Sequence, residues 1–370
     1  MSDINTLFFE LIRVAIGTQK SLTRLPSEAE WEELFEMAVK QSLVGVCFSG
    51  LHDLGADSDE GYARIGMSEN LFFNWMGMAA QINMRNDVVN GQCGTLQKRL
   101  AADGFRSCIL KGQSNLIYYG ELESFRQSGD IDAWLDGGYK TITDYVQQVS
   151  PTKEINQHHA QFKVFDDTEI ELHFYPLQLN NPLKQRVLDK FCDSQKERCL
   201  SNRITLCGDI EISAATTEFN LVFQLMHIYH HLFTEGIGLR QLMDYYFVLK
   251  SQQVTETTCQ LAKEVIHKLG FVRFAGALMW VLQNVFGLSQ DKIIWMANEK
   301  DGKFLLNEIM LSGNFGHHDE RVPKNMNYWK SFWYLNTYNL RLSRFDHWSW
   351  FWTPIMRIKG FVWRKLHGYN

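Results

Sequence analysis

The chain has 370 residues, 45% hydrophobic and 21% charged, with a formal net charge of -5. That length and composition give a folded protein of two or three subdomains rather than a disordered one, and the acidic balance argues against bulk nucleic acid as the partner. Seven scattered cysteines with no CxxC pair fit neither a disulfide framework nor a zinc ribbon, and point to a reducing cytoplasm.

The N-terminus has no basic segment followed by a long apolar run, so no signal peptide is expected. No uninterrupted apolar stretch reaches about 18 residues, so neither is a transmembrane helix. Residues 1–103 read as a helical region. Ser27 and Glu30 form a capping box ahead of Trp31, Leu34, Phe35 and Ala38 at helical spacing. A polar loop follows over 53–61, then a long helix from about Glu69.

The pattern changes over 104–215. Ser107–Leu110 reads as a short buried strand. In 130–136, Ile131, Ala133 and Leu135 share one face, and Asp130, Asp132 and Trp134 the other. The segments 161–165 and 168–174 flank Asp166-Asp167 as a hairpin. In the second of them Glu169, Glu171 and His173 oppose Ile170, Leu172 and Phe174. The fold class expected is α+β, a small mixed sheet between helical regions. After about 216 the chain is helical again, with Val222, Leu225, Met226, Tyr229, Leu232 and Phe233 at helical spacing, further helices near 239–251, 255–269, 271–286 and 302–311, a loop over 312–319, and an aromatic tail over 328–369.

Two carboxylates one residue apart on a strand project the same way. Asp130 and Asp132 therefore suit a divalent cation with oxygen ligands, Mg2+ or Mn2+, and Glu171 has the parity to join them. Lys111-Gly112-Gln113-Ser114 follows a strand and precedes what reads as a helix start, an arrangement that can cradle a phosphate. Lys111, Gly112 and Ser114 are the expected donors. Arg126, just before the acidic pair, is expected to hold a phosphate oxygen or to pair with an acid.

Together these segments carry a resemblance. Ile109-Leu110-Lys111-Gly112, Tyr118-Tyr119-Gly120, Arg126-x-Ser128-x-Asp130-Ile131-Asp132 and Glu171-Leu172-His173-Phe174 resemble a bacterial family of uncharacterised nucleotidyltransferases, within the superfamily that shares the DNA polymerase β-like fold. His227-x-x-x-His231, Gly236-Ile237-Gly238-Leu239-Arg240-Gln241-Leu242-x-Asp244 and Gly313-Asn314-Phe315-Gly316 are similar to its later segments. The resemblance implies metal-binding Asp130, Asp132 and Glu171. It also implies phosphate contacts from Lys111, Gly112, Ser114, Arg126 and Ser128, and transfer of a nucleoside monophosphate from a nucleoside triphosphate. Where the superfamily turn is Gly-Ser or Gly-Gly, this chain has Lys111-Gly112-Gln113.

The acceptor is read as a small molecule or saccharide, since the resembled family often accompanies surface-polysaccharide synthesis. The alternative is a nucleotide-binding or scaffolding module that kept the fold without the chemistry. His173, Arg240 and Asp244 are read as facing the cleft, although Arg240 and Asp244 also suit an i, i+4 helix pair. His227 and His231 have a zinc-compatible spacing, but Ile228 stands where a zincin needs Glu, so they are read as a polar helix face. The tail over 341–370, with six Lys or Arg and one Asp among its aromatics, is read as packing on the protein, with a membrane surface or stacking on bases or sugar rings as the alternatives.

Overall fold

The computed structural model describes residues 3–58, 60–319, 321 and 328–369. Five helices come first: α1 (Asp3–Ala15), α2 (Glu28–Lys40), α3 (Val44–Asp53), the short α4 (Gly61–Arg64) and α5 (Glu69–Ala102). The α/β segment holds β1 (Ser107–Ile109), β2 (Ile131–Leu135), α6 (Tyr139–Val149), β3 (His159–Gln161), β4 (Ile170–His173), α7 (Pro182–Ser201), β5 (Arg203–Leu206) and β6 (Ile210–Ser213). Among the described residues the helices that follow are α8 (Thr217–Thr234), α9 (Leu239–Lys250), α10 (Glu256–Leu269), α11 (Val272–Phe286), α12 (Glu299–Ser312), α13 (Tyr328–Tyr338) and α14 (Ser349–His367). The Ser27–Glu30 capping box that starts α2 is formed.

The main sheet is four-stranded and mixed, in the order β1-β2-β4-β3. β1 pairs antiparallel with β2, β2 parallel with β4, and β4 antiparallel with β3. The β3–β4 connection is longer than expected. β3 ends at Gln161, because Ser150 Oγ accepts the Lys163 amide and draws the chain off the ladder. Arg85 and Gln92 of α5 then hold the connecting loop through Asp167 and Thr168.

Strand alternation divides the sheet between two cores. Ile131, Ala133, Leu135, Ile170 and Leu172 pack with Val89, Cys93 and Leu96 of α5 and Ile142 and Val146 of α6. On the opposite face Trp134 joins a larger helical core and stacks on Phe219, ring centroids 5.7 Å apart. That larger core takes in α1, α2 and α3 together with α8, α9, α10 and α11, so helices from both ends of the chain share one apolar interior. On this second face His173 stands level with Trp134, and Asp132 and Glu171 stand side by side two residues earlier.

The segment after Lys111 differs from the expected helix start. It is a seven-residue 3-10 helix, Gly112–Tyr118, followed by a second over Gly120–Phe125. Gly112 and Gly120 have φ of +63° and +58°, left-handed values that glycine adopts without a Cβ penalty. They bracket the first turn and keep it short.

Candidate active site

Asp132 and Glu171 are register partners on the parallel strands β2 and β4. The pairing puts two carboxylates side by side on one face, and Asp130 enters β2 one residue before its start. Lys111 closes the group: its Nζ stands 3.1 Å from Asp132 Oδ2 and 3.6 Å from Asp130 Oδ2. Burial disfavours the Lys111 ammonium, but the charges of Asp130, Asp132 and Glu171 outweigh it and hold the pKa above its ordinary value. Lys111 is therefore a resident cation between the two aspartates.

His173 lies on the same strand face. Its Nε2 is 2.9 Å from Asp132 Oδ1 and 3.3 Å from Glu171 Oε2. Burial pushes the imidazole down, yet donating to Asp132 and Glu171, and the charge of both carboxylates, lift it to about 9. The carboxylates respond in kind. Burial raises Glu171, but His173, His159 and Lys111 bring it to about 2. Burial raises Asp132 too, and Lys111 and His173 bring it below the usual carboxylate range. Both acids are ionised at neutral pH beside two cations.

The ligand atoms of Asp132, Glu171 and His173 all lie within 4.8 Å of one another. Asp132 Oδ2 is buried and has no aligned hydrogen-bond donor, Lys111 meeting it only as a charge. An oxygen so placed fits a divalent cation, and so do the hard, anionic carboxylates of Asp130, Asp132 and Glu171, with His173 bonded to the last two from the side.

The carboxylates open into a cleft of about 800 Å³ between β2 and β4 on one side and α8 and the Phe315 loop on the other. Seven of the chain's 12 histidines line it, among them His227, His230 and His231 of α8. Most are kept neutral. Burial pushes His158 and His227 well below the ordinary imidazole value, and brings His159 and His230 to about 4. His227 and His231 bond to each other, Nε2 to Nε2 at 2.9 Å, on a polar helix face turned to the cleft.

A small recess of about 30 Å³ continues from Lys111, Gly112 and Asp130 to Arg126, Arg240 and Asp244. Here the structure sorts the arginines. Arg126 is clamped on Asp244 by two bonds of 2.7 Å, and Tyr119 donates to the same carboxylate. Of the two roles expected for Arg126, it takes the acid. Arg240 does not pair with Asp244 as an i, i+4 partner. It donates to Gln127 O at 2.9 Å and lies 5.7 Å from the Phe315 ring centre. Its Nε is buried without a partner, so Arg240 is the guanidinium left to meet an anion in the recess.

The expected phosphate contacts are placed unequally around the cavity. Ser114 is 0% exposed, and neither Ser114 nor Ser128 lines the cleft or the recess. The 3-10 turn carries its polar side chains inward, where Gln113 bonds Asn90 of α5 and Asn115 bonds Gln224 of α8. A turn this short supplies no long helix N-terminus. Lys111 and Gly112 are the members of the turn that reach the cavity.

Two glycine segments position Phe315. Gly236 (φ +112°) lies against Gly316, where an added Cβ would come 2.9 Å from the Gly316 backbone. A Cβ on Gly316 (φ +67°) would come 1.9 Å from Glu235 O. This backbone contact, with Gln241 donating to Asn314 Oδ1 at 2.9 Å, sets Phe315 over Arg240 and 5.2 Å from the His231 ring.

Residue-by-residue reading did not single out His158, His159 and His230. His159 is the register partner of His173, and its Nδ1 lies 3.0 Å from Glu171 Oε2. Asn156 Nδ2 donates to His159 Nε2, which leaves the ring proton on Nδ1, toward Glu171. His158, His159 and His173 form a second group with ligand atoms within 4.8 Å of one another. The adjacent histidines just before a hairpin strand were the available signal.

A family model described as "Uncharacterised nucleotidyltransferase" matches residues 27–287, which takes in every carboxylate and cation of the site. No curated protein and no solved structure matches the chain. The mixed sheet, the paired acids across β2 and β4 and the family match agree, and the chain belongs to the uncharacterised nucleotidyltransferase family.

Proposed function

We propose that the protein transfers a nucleoside monophosphate from a nucleoside triphosphate to a hydroxyl or phosphate of an acceptor, releasing pyrophosphate. The observation that carries this is the register of Asp132 against Glu171, with Asp130 at the strand entry and Lys111 between the aspartates. Asp130, Asp132 and Glu171 would hold Mg2+ or Mn2+, which when bound neutralises the charge that develops on the phosphates. His173 fixes Asp132 Oδ1, so Oδ2 would be the oxygen available to hold the metal. Lys111 and Arg240 supply positive charge for the phosphates, Gly112 lets the backbone come close, and Arg126 holds Asp244 and the recess wall in place. Glu171 is the base or the third ligand: as an acceptor hydroxyl attacks the α-phosphorus, its proton passes to a carboxylate and the bond to pyrophosphate breaks.

The acceptor fits best as a small molecule or a saccharide-related one rather than a nucleic acid. The net charge of -5 disfavours a long polyanion. Beside the cleft lies a cavity of about 360 Å³ with the amides of Asn156, Gln157, Gln178 and Asn180 and the ring of Trp363 on its walls, groups that bind hydroxyls and sugar faces. The resemblance implies a link to bacterial surface-polysaccharide metabolism, and the scattered cysteines suit a cytoplasmic setting.

One observation favours the alternative of a non-catalytic nucleotide-binding module: Lys111 already balances the two aspartates. Calorimetric titration with each triphosphate, with and without Mg2+, joined to a pyrophosphate-release assay, separates the two. Metal-dependent binding with turnover supports the transferase. Tight binding without turnover across a broad acceptor panel supports the module.

A further inference from the structure

The outer face of α14 is apolar and uncovered. At about 100° per residue, Phe351, Ile355, Ile358, Val362 and Leu366 fall within one arc of roughly 80°. They are 40% to 79% exposed. The inner face is engaged: Thr353 is buried, and Met356, Gly360, Trp363 and Arg364 wall the cavity beside the cleft. The sequence-based expectation of a packed tail therefore holds for one face of this helix and fails for the other.

Charge frames the exposed stripe. On the same helical projection Lys359 borders one edge and Lys365 the other, and both are exposed. The helix carries four Lys or Arg and no acid, on a chain of net charge -5. Trp348 and Trp350, 59% and 55% exposed, stand at its N-terminal end. An apolar stripe edged by lysines, with tryptophans at one end, matches the boundary between acyl chains and anionic headgroups. Among the described residues no helix is long and apolar enough to cross a membrane. Nucleic acid is a poor match, since base stacking needs aromatic rings and four of the five stripe residues are aliphatic.

We propose that α14 docks the protein on an anionic phospholipid bilayer, with the Phe351–Leu366 stripe in the headgroup boundary and Lys359 and Lys365 on lipid phosphates. The inner face of the same helix walls the cavity beside the cleft, so docking holds that cavity close to the membrane surface. The proposal does not depend on the transferase reading.

Flotation of the full-length protein tests it, with phosphatidylcholine vesicles containing about one third phosphatidylglycerol, against phosphatidylcholine alone. The protein should float with the anionic vesicles. The exposed-site double variant I358E/L366E should weaken partitioning by on the order of tenfold or more, and K359E/K365E should abolish the preference for anionic lipid. Circular dichroism confirms that each variant is folded. Wild-type protein that fails to float, or I358E/L366E that floats as well as wild type, overturns the proposal. So does a dimer in sedimentation that I358E/L366E dissolves while vesicles bind nothing, since a second copy would then cover the stripe.

Discussion

Arg126 and Arg240 carry the same charge in one recess with Asp244, and their surroundings give them opposite jobs. Arg126 is 5% exposed and spends two nitrogens on Asp244. Removing it strands a buried carboxylate beside Tyr119, so Arg126→Gln should cost about 3–5 kcal/mol in urea unfolding. Among the described residues Arg240 makes no ion pair and keeps a buried nitrogen unpartnered. Arg240→Gln should leave the unfolding midpoint at or above that of the wild type. In calorimetry it should weaken triphosphate binding by about tenfold or more. Equal loss of stability in the two variants would remove the distinction. At this scale the sequence showed the acids well, because Asp130-x-Asp132 and Glu171 depend only on strand alternation. It did not show which arginine Asp244 holds, since Arg126 lies 118 residues away and no local pattern encodes that pairing.

Among elements, the site is held by contacts between segments that are themselves locally regular. Asn86, Asn90 and Gln97 sit on one flank of α5, where they bond Ser124 O and Arg126 O, Gln113, and the backbone of Ser107 and Ser213. One long helix thus fixes the phosphate-side turn, the approach to Asp130 and the edge of the sheet. The Gly236–Gly316 contact does the same for Phe315. Gly316→Ala puts a methyl into Glu235 O at a left-handed backbone position, and should cost on the order of 1–3 kcal/mol. Gly77 of α5 is exposed, with nothing near an added Cβ, so Gly77→Ala should add about 0.5–1 kcal/mol. Urea denaturation of the two variants reads both signs. Helix positions were legible from apolar periodicity, and α9, α10 and α11 begin and end within a residue of where the pattern sets them. The β3 register was not, because Ser150 and α5 decide it from outside the hairpin.

Over the whole molecule, helices from both termini close one core around α8, and α8 turns its histidines to the cleft. This concentration of neutral imidazoles makes stability fall in acid. His230 is brought to about 4 from an ordinary 6.5, by burial and by the charge of His231. Between those values the unfolded chain binds a proton that the folded one refuses, so stability drops as pH falls from 6.5 toward 4. His158 and His227 act in the same direction. His173 has the opposite sign. Its pKa is raised to about 9, so its contribution is full below 6.5 and fades as pH rises through 9. A urea midpoint that is flat between pH 6.5 and 4 would contradict this account. Composition foretold a folded chain with no spanning helix, but not the exposure of the α14 stripe, because a basic aromatic tail reads alike whether its apolar face is covered or open.

The central claim is that Asp130, Asp132 and Glu171 are the acidic end of a nucleotidyl-transfer site. Label transfer from a triphosphate carrying the label at the α- or the γ-phosphate, incubated with Mg2+, cell extract and the full-length protein, tests it most directly. Label should reach an acceptor from the α-position and not from the γ-position. Asp132→Asn, folded by circular dichroism, should abolish the transfer. Transfer from the γ-phosphate, or undiminished α-label transfer by Asp132→Asn, would contradict the account.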